Sequence, residues 1–262
     1  MSRPAAIPIV LCISGHDPSG GAGLQADIEA VAAQGAHALG VITALTTQDS
    51  RDVRRVQAVA PALLAEQLEL LLDDCRPQAI KLGLLGDAAQ IPTILAAIEQ
   101  CRVPVVLDPV LRAGGGGTLA AAATAAALLE RLLPAASIAT PNAAEARRLA
   151  PAAAGLDGCA AALLARGCGA VLITGGDEQT PDVENRWYRP DAAPRVFRWP
   201  RLPGGFHGAG CTLAAALAAR LARGEPVEAA VEHAQGYVHA CLEHALSVGG
   251  GRPIPNRLWR SR

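Results

Sequence analysis

Six short runs of mostly aliphatic residues divide this chain, and the stretches between them carry helical spacing. The runs are 7–14, 40–47, 79–82, 103–107, 137–139 and 170–174. The first is apolar almost throughout and rich in β-branched residues, which marks a strand buried on both faces; its early proline is tolerated near a strand start. Helices are expected at 61–74, where Leu64, Leu68, Leu71 and Leu72 share a face, and at 91–101, 118–133, 142–150 and 159–166. Two more follow at 209–223 and 227–246. Apolar strands alternating with helices make a parallel sheet covered on both faces, so the fold class is α/β. Residues 1–262 read as one domain, with 51% hydrophobic content to fill its core. Only 178–203 changes character: Trp187, Tyr188, Phe197 and Trp199 stand among charges and prolines, as in a peripheral hairpin.

In a sheet of this kind the ligand lies beyond the carboxyl ends of the strands. Those ends hold the chain's glycine and polar signals: Gly15–Gly23, Gln48, Gly83–Gly86, Asp108, Thr140–Asn142 and Thr174–Asp177. A further stretch, Gly204–Thr212, runs directly into an alanine-rich helix. Glycines let backbone amides turn toward one point, and the helix behind them directs its positive dipole end there, which suits an anion such as phosphate. Cys211 lies at the mouth of this cradle, where the dipole favours a thiolate. On the helix after Gly23, Leu24, Ile28 and Val31 form an apolar stripe that also contains Asp27, a carboxylate that needs a partner if buried.

Composition removes several alternatives. The net charge of -1 leaves no electrostatic footprint for nucleic acid or an anionic membrane. Lys81 is the only lysine and follows isoleucine, which excludes the P-loop pattern. The seven cysteines are scattered without a C-x-x-C pair, so they read as reduced thiols and not as a disulfide frame or zinc site. Neither a signal-peptide pattern nor a charge-free apolar stretch of about 18 residues occurs, and a cytoplasmic protein is expected.

Ser14–Asp27 resembles the N-terminal signature of the hydroxymethylpyrimidine/phosphomethylpyrimidine kinases of thiamine biosynthesis. The similarity continues in order through Val41–Gln48, Lys81–Leu85, Leu107–Leu111, Thr140–Glu145 and His207–Leu213. It implies a ribokinase-like fold, a central mostly parallel sheet with helices on both faces. It also implies ATP and Mg²⁺ as cofactors, two successive phosphorylations of the aminopyrimidine, and a homodimer.

By the same resemblance, Gln48 hydrogen-bonds the pyrimidine, Ala22 brings main chain to the ring, and Leu84 and Val110 line it. An amide offers both donor and acceptor to an aminopyrimidine edge. Asp27 joins this substrate-binding set. Cys211 matches the family's base, while Gly208, Ala209 and Gly210 supply amides to the transferring phosphoryl group. Asp108, Asn142, Glu145, Thr174 and Gly176 fall at nucleotide-phosphate positions, with Asp108 and Glu145 serving Mg²⁺, partly through water. Asn142 and Glu145 also have the spacing of a helix capping box. Two departures stand out: the family's lysines near Gly114 and at Thr174 are missing. Arg112 is a partial substitute, and Gly114–Gly117 has the composition of a mobile flap. The departures keep two alternatives open, a salvage kinase limited to the first phosphorylation and a non-catalytic pyrimidine-binding module; a third is a pyridoxal-type vitamin kinase, which shares the fold and much of the first motif.

Overall fold

The computed structural model describes residues 7–110 and 122–261, so Arg112 and Gly114–Gly117 lie outside the described residues. Among the described residues nine strands form one sheet: β1 (Ile9–His16), β2 (His37–Gln48), β3 (Val53–Ala58), β4 (Ala79–Leu82), β5 (Val105–Leu107), β6 (Ile138–Ala139), β7 (Val171–Ile173), β8 (Asp182–Tyr188) and β9 (Arg195–Pro200). Their order is β3-β2-β1-β4-β5-β6-β7-β8-β9. From β2 through β7 neighbours are parallel, while β3 and the β8–β9 hairpin pair antiparallel at the two ends.

Alternation along β1 builds two cores. Leu11 and Ile13 join Ile80, Leu82, Val105 and Leu107 beneath α2 (Pro61–Asp74), α3 (Ile91–Cys101), α4 (Ala122–Ala127), α5 (Ala143–Leu149) and α6 (Gly155–Leu164). Val10 and Cys12 face the other way, toward α1 (Gly23–Ala33), α7 (Ala209–Ala222) and α8 (Val227–Glu243). Helix α7 is buried almost all round, which its run of alanines permits because small side chains let two layers approach closely. No described helix is long and apolar enough to cross a membrane.

Three expectations change. The segment 178–203 is a hairpin, but it extends the main sheet and buries Trp187 and Phe197 in the core. Strand β3 is an addition: Val53–Ala58 mixes arginines and glutamine with valines and alanine, so its apolar run is too interrupted to stand out, and it pairs antiparallel with β2 at the sheet edge. On α1 the buried face is Leu24, Asp27, Ala30 and Val31, while Ile28 is 45% exposed. The carboxylate, not the isoleucine, points inward.

Candidate active site

A cleft of about 560 Å³ opens at the carboxyl ends of β1, β4, β5, β6 and β7, within the size range of small-molecule sites. The N-terminus of α7 forms one wall. Its cap is Gly208, in the left-handed region at φ 88°, and no side chain caps this end. The amides of Ala209, Gly210 and Cys211 therefore remain for whatever binds in the cleft. Gly208 also packs against the loop before α1, where an added Cβ would run into the Gly21 carbonyl oxygen.

Behind the cradle lies a buried polar cluster. Lys81 comes from β4 on the α1–α7 side of the sheet, and its Nζ lies 2.9 Å from the Asp27 carboxylate and 2.9 Å from Ser14 Oγ. Ser14 Oγ also donates to Asp27 at 2.6 Å. Burial opposes the ammonium, but the Asp27 carboxylate at 2.9 Å and the nearby Asp108 outweigh it and hold Lys81 charged. Asp108, 4% exposed, is pushed up to about 6 by burial, against the pull of Lys81. Burial also drives the Cys211 thiol up to about 12, only partly offset by Lys81. The expectation of a dipole-favoured thiolate is thus overturned for the unliganded protein: desolvation and two nearby carboxylates exceed the half-charge of one helix end. Cys211 carries a proton at neutral pH.

Beside the cradle Asp17 collects the loop 17–23. Its carboxylate accepts from Ser19 N at 2.8 Å, Ser19 Oγ at 2.7 Å and Ala22 N at 2.9 Å, and lies 2.7 Å from His207 Nε2. Burial works against this charge, yet hydrogen bonds from His207, Gln48 and Ser19 hold the carboxyl well below the usual range. Ala22 and Gln48 thus meet at one ionised carboxylate. Arg257, with no exposed side-chain surface, fastens the loop from below. It donates to Thr212 Oγ1 at 2.9 Å, to the Gly20 and Gly21 carbonyls, and to Glu29 at 3.0 Å.

On the third side Asn142 caps α5. Its side chain accepts from Glu145 N at 2.8 Å, and Glu145 Oε2 accepts from Asn142 N at 3.0 Å, which is the capping box the spacing predicted. Asp177 accepts from Ala143 N and Ala144 N, at 3.3 and 2.8 Å. Arg201 ties the glycine turn after β7, donating to the carbonyls of Gly176 at 3.0 Å and Thr180 at 2.7 Å.

The cleft gathers Gln48, Ala22, Leu84 and Val110 with Asp108, Asn142, Glu145, Thr174, Gly176 and the cradle Gly208–Cys211. Asp27 is the exception: fully buried, it reaches the cleft only through Lys81, so its placement among substrate-contacting residues is corrected. Sequence reasoning missed Asp17, His207, Arg257 and Arg201. The first two stood inside quoted motifs, and a carboxylate and imidazole flanking glycine loops were a usable signal. The arginines left none, because their partners are mostly carbonyls distant in sequence.

Residues 17–255 match the phosphomethylpyrimidine kinase family. The chain is 38% identical over 252 residues to the hydroxymethylpyrimidine/phosphomethylpyrimidine kinase of Synechococcus elongatus, covering 94% of this chain and 96% of that one. Among solved structures, an ADP complex of Bacillus subtilis pyridoxal kinase is similar with a TM-score of 0.89 at 27% identity, over 98% of this chain and 100% of that one. The pyridoxal kinase of Staphylococcus aureus with AMP-PCP and pyridoxal gives 0.87 at 26% identity, over 96% and 94%. The fold is ribokinase-like. With its sheet, cradle and motifs in that arrangement, the chain belongs to the phosphomethylpyrimidine kinase family.

Proposed function

We propose that this chain phosphorylates 4-amino-5-hydroxymethyl-2-methylpyrimidine with ATP, and then its monophosphate to the diphosphate, for thiamine biosynthesis. The observation that carries the reading is one cleft joining a glutamine-bearing pocket to an uncapped helix N-terminus. The pyrimidine lies against Ala22, Leu84 and Val110 with its edge on Gln48. The amides of Ala209, Gly210 and Cys211 meet charge developing on the transferred group, an electrostatic role that needs no proton movement. Asp108, Asn142, Glu145, Thr174 and Gly176 face the nucleotide phosphates, and its base rests at the apolar end beside Val238 and Leu242.

The donor set fits Mg²⁺. Asp108 Oδ2 is buried without a hydrogen-bond partner, and no cluster of three or more His, Cys, Asp or Glu occurs among the described residues. Mg²⁺ is commonly held by one or two carboxylates while keeping waters and phosphate oxygens. Asp108 would hold it directly and Glu145 through water, and the cation would neutralise phosphate charge. Cys211 is protonated at rest, so its role as base requires bound substrate and nucleotide to change its surroundings.

The pyridoxal-kinase reading rests on fold likeness at 26 and 27% identity and is not favoured beside the 38% relative. Seven free cysteines accord with a reducing cytoplasmic compartment, and a homodimer is the assembly we propose. The test is single-turnover transfer from labelled ATP to the hydroxymethylpyrimidine. Absence of product would sink the kinase reading, and product that never reaches the diphosphate would restrict the enzyme to salvage.

A further inference from the structure

Three cationic lysine or arginine side chains among the described residues line the cleft: Lys81, Arg201 and Arg252. They are not equally available. Lys81 is neutralised by Asp27 at 2.9 Å behind the cradle. Arg201 is engaged by the carbonyls of Gly175, Gly176, Thr180 and Asp182 at 2.7–3.5 Å. Arg252 has neither an ion pair nor a side-chain hydrogen bond among the described residues. It is partly buried, and desolvation alone lowers its pKa, with no acidic group to offset it. Asp49 and Asp52 share a recess with it but make no ion pair to it.

Position gives this charge its meaning. Arg252 N donates to Ser50 O at 3.2 Å, and the adjacent Pro253 carbonyl accepts from His207 N at 2.9 Å. Its Cδ lies 3.4 Å from where a Cβ on Gly205 would stand. The side chain therefore runs along the loop that feeds the cradle. It lines both the cleft and the recess that Gln48 and His207 share. A partly buried guanidinium without a counter-ion is open to an anion, and one binding at this point would gain charge-assisted hydrogen bonds. The first acceptor is a neutral alcohol and supplies none. The second acceptor is its phosphate ester, a dianion whose oxygens match the planar guanidinium fork.

We propose that Arg252 binds the phosphate of the phosphorylated acceptor and so determines specificity for the second transfer. The proposal rests on the kinase reading above. It gives the chain a cation for a charged acceptor that no lysine among its described cleft residues offers.

The test compares wild type, Arg252→Gln and Arg252→Lys, each checked for an unchanged melting temperature, with the alcohol and the monophosphate as acceptors at saturating ATP. One lost charged hydrogen-bonding partner corresponds to roughly 10–100-fold in affinity. Arg252→Gln should raise KM for the monophosphate at least about tenfold more than KM for the alcohol, and Arg252→Lys should recover part of the loss. Equal effects on both acceptors, no effect, or a rise confined to KM for ATP would overturn the assignment. If wild type phosphorylates neither acceptor, the kinase reading has failed. Calorimetric binding of the monophosphate without ATP then still decides whether Arg252→Gln weakens that site.

Discussion

Lys81 and Asp27 form an ion pair at 2.9 Å with no exposed side-chain surface on either partner. Removing one member of a buried pair leaves the other charge desolvated, which costs about 3–5 kcal/mol, whereas replacing both with apolar residues is often neutral. Lys81→Met and Asp27→Leu should each shift the urea midpoint sharply, and the double variant should recover most of that loss. Activity should not return with it, because Lys81 lines the cleft and opposes the upward shifts of Asp108 and Cys211. A double variant with restored stability and wild-type turnover would reduce the pair to a structural feature.

Asp108 ties stability and activity to pH in opposite directions. Its folded value of about 6 lies above the ordinary 3.8, so the folded state binds this proton more tightly than the unfolded chain. The stabilisation is complete below 3.8 and is lost as pH rises through about 6. Asp108→Asn should therefore stabilise the protein at pH 8, by no more than about 3 kcal/mol. The carboxylate form is the one suited to hold Mg²⁺, so kcat/KM should fall as pH drops through about 6 in the wild type. Melting curves and pH–rate profiles of the two proteins check both statements.

Cys211 separates what local sequence shows from what packing imposes. Gly208–Cys211 ahead of a helix is readable as an anion cradle because backbone geometry and dipole are local properties. The thiol's proton affinity is not local: it follows from burial beside Asp108 and Asp27, residues 103 and 184 positions away. The same distinction holds on α1, where spacing placed Ile28 and Asp27 on one stripe, and the ion pair with Lys81 on another strand settles that Asp27 is buried while Ile28 is exposed. Asn142 and Glu145 were legible because a capping box lies within one helical turn. Arg257 was not, since its bonds to Gly20 and Gly21 span 237 and 236 residues.

With its thiol pushed up to about 12, Cys211 should react at pH 8 at least about tenfold more slowly with iodoacetamide than a small unperturbed thiol, because the scarcer thiolate is only partly offset by its greater nucleophilicity. Peptide-resolved mass spectrometry reads this site among the seven cysteines. Cys211→Ala should fold normally and, if the thiol acts as base in the loaded enzyme, lose about 10²–10⁴ in kcat. Rapid alkylation of the unliganded protein would contradict the burial argument. Undiminished turnover of the variant would remove the thiol from the chemistry.

Arg257 joins the loop before α1 to the first turn of α7 through Gly20, Gly21 and Thr212, and Thr212 Oγ1 in turn donates to Gly208 O at 2.8 Å. Arg257→Met keeps most of the volume and leaves these acceptors without their donor. Each buried acceptor left without its donor costs about 1–3 kcal/mol, so the two carbonyls together should lower Tm by at least roughly 4 °C for a chain of this size. Where the fold survives at low temperature, KM for the pyrimidine should rise, since the loop carrying Ala22 loses its support.

Gly208 and Gly210 lie two residues apart in the cradle and should respond oppositely to the same methyl group. At Gly208 the backbone has φ 88°, and a Cβ would collide with the Gly21 carbonyl oxygen. Gly208→Ala must therefore move the loop before α1 or unwind the first turn of α7. It should lower Tm and reduce transfer by at least about a hundredfold, because the amides no longer converge. Gly210 lies inside α7, and the nearest atom to an added Cβ is Asp108 Oδ1 at 3.9 Å. There alanine improves helix propensity by about 0.5–1 kcal/mol, so Gly210→Ala should hold or raise Tm. Its methyl nevertheless enters the space between the α7 amides and Asp108, so turnover should fall although stability does not. Parallel melting and single-turnover measurements on the two variants separate the cradle's backbone geometry from its open volume. Equal stability for both would mean that the approach of Gly208 to Gly21 does not hold the two loops together.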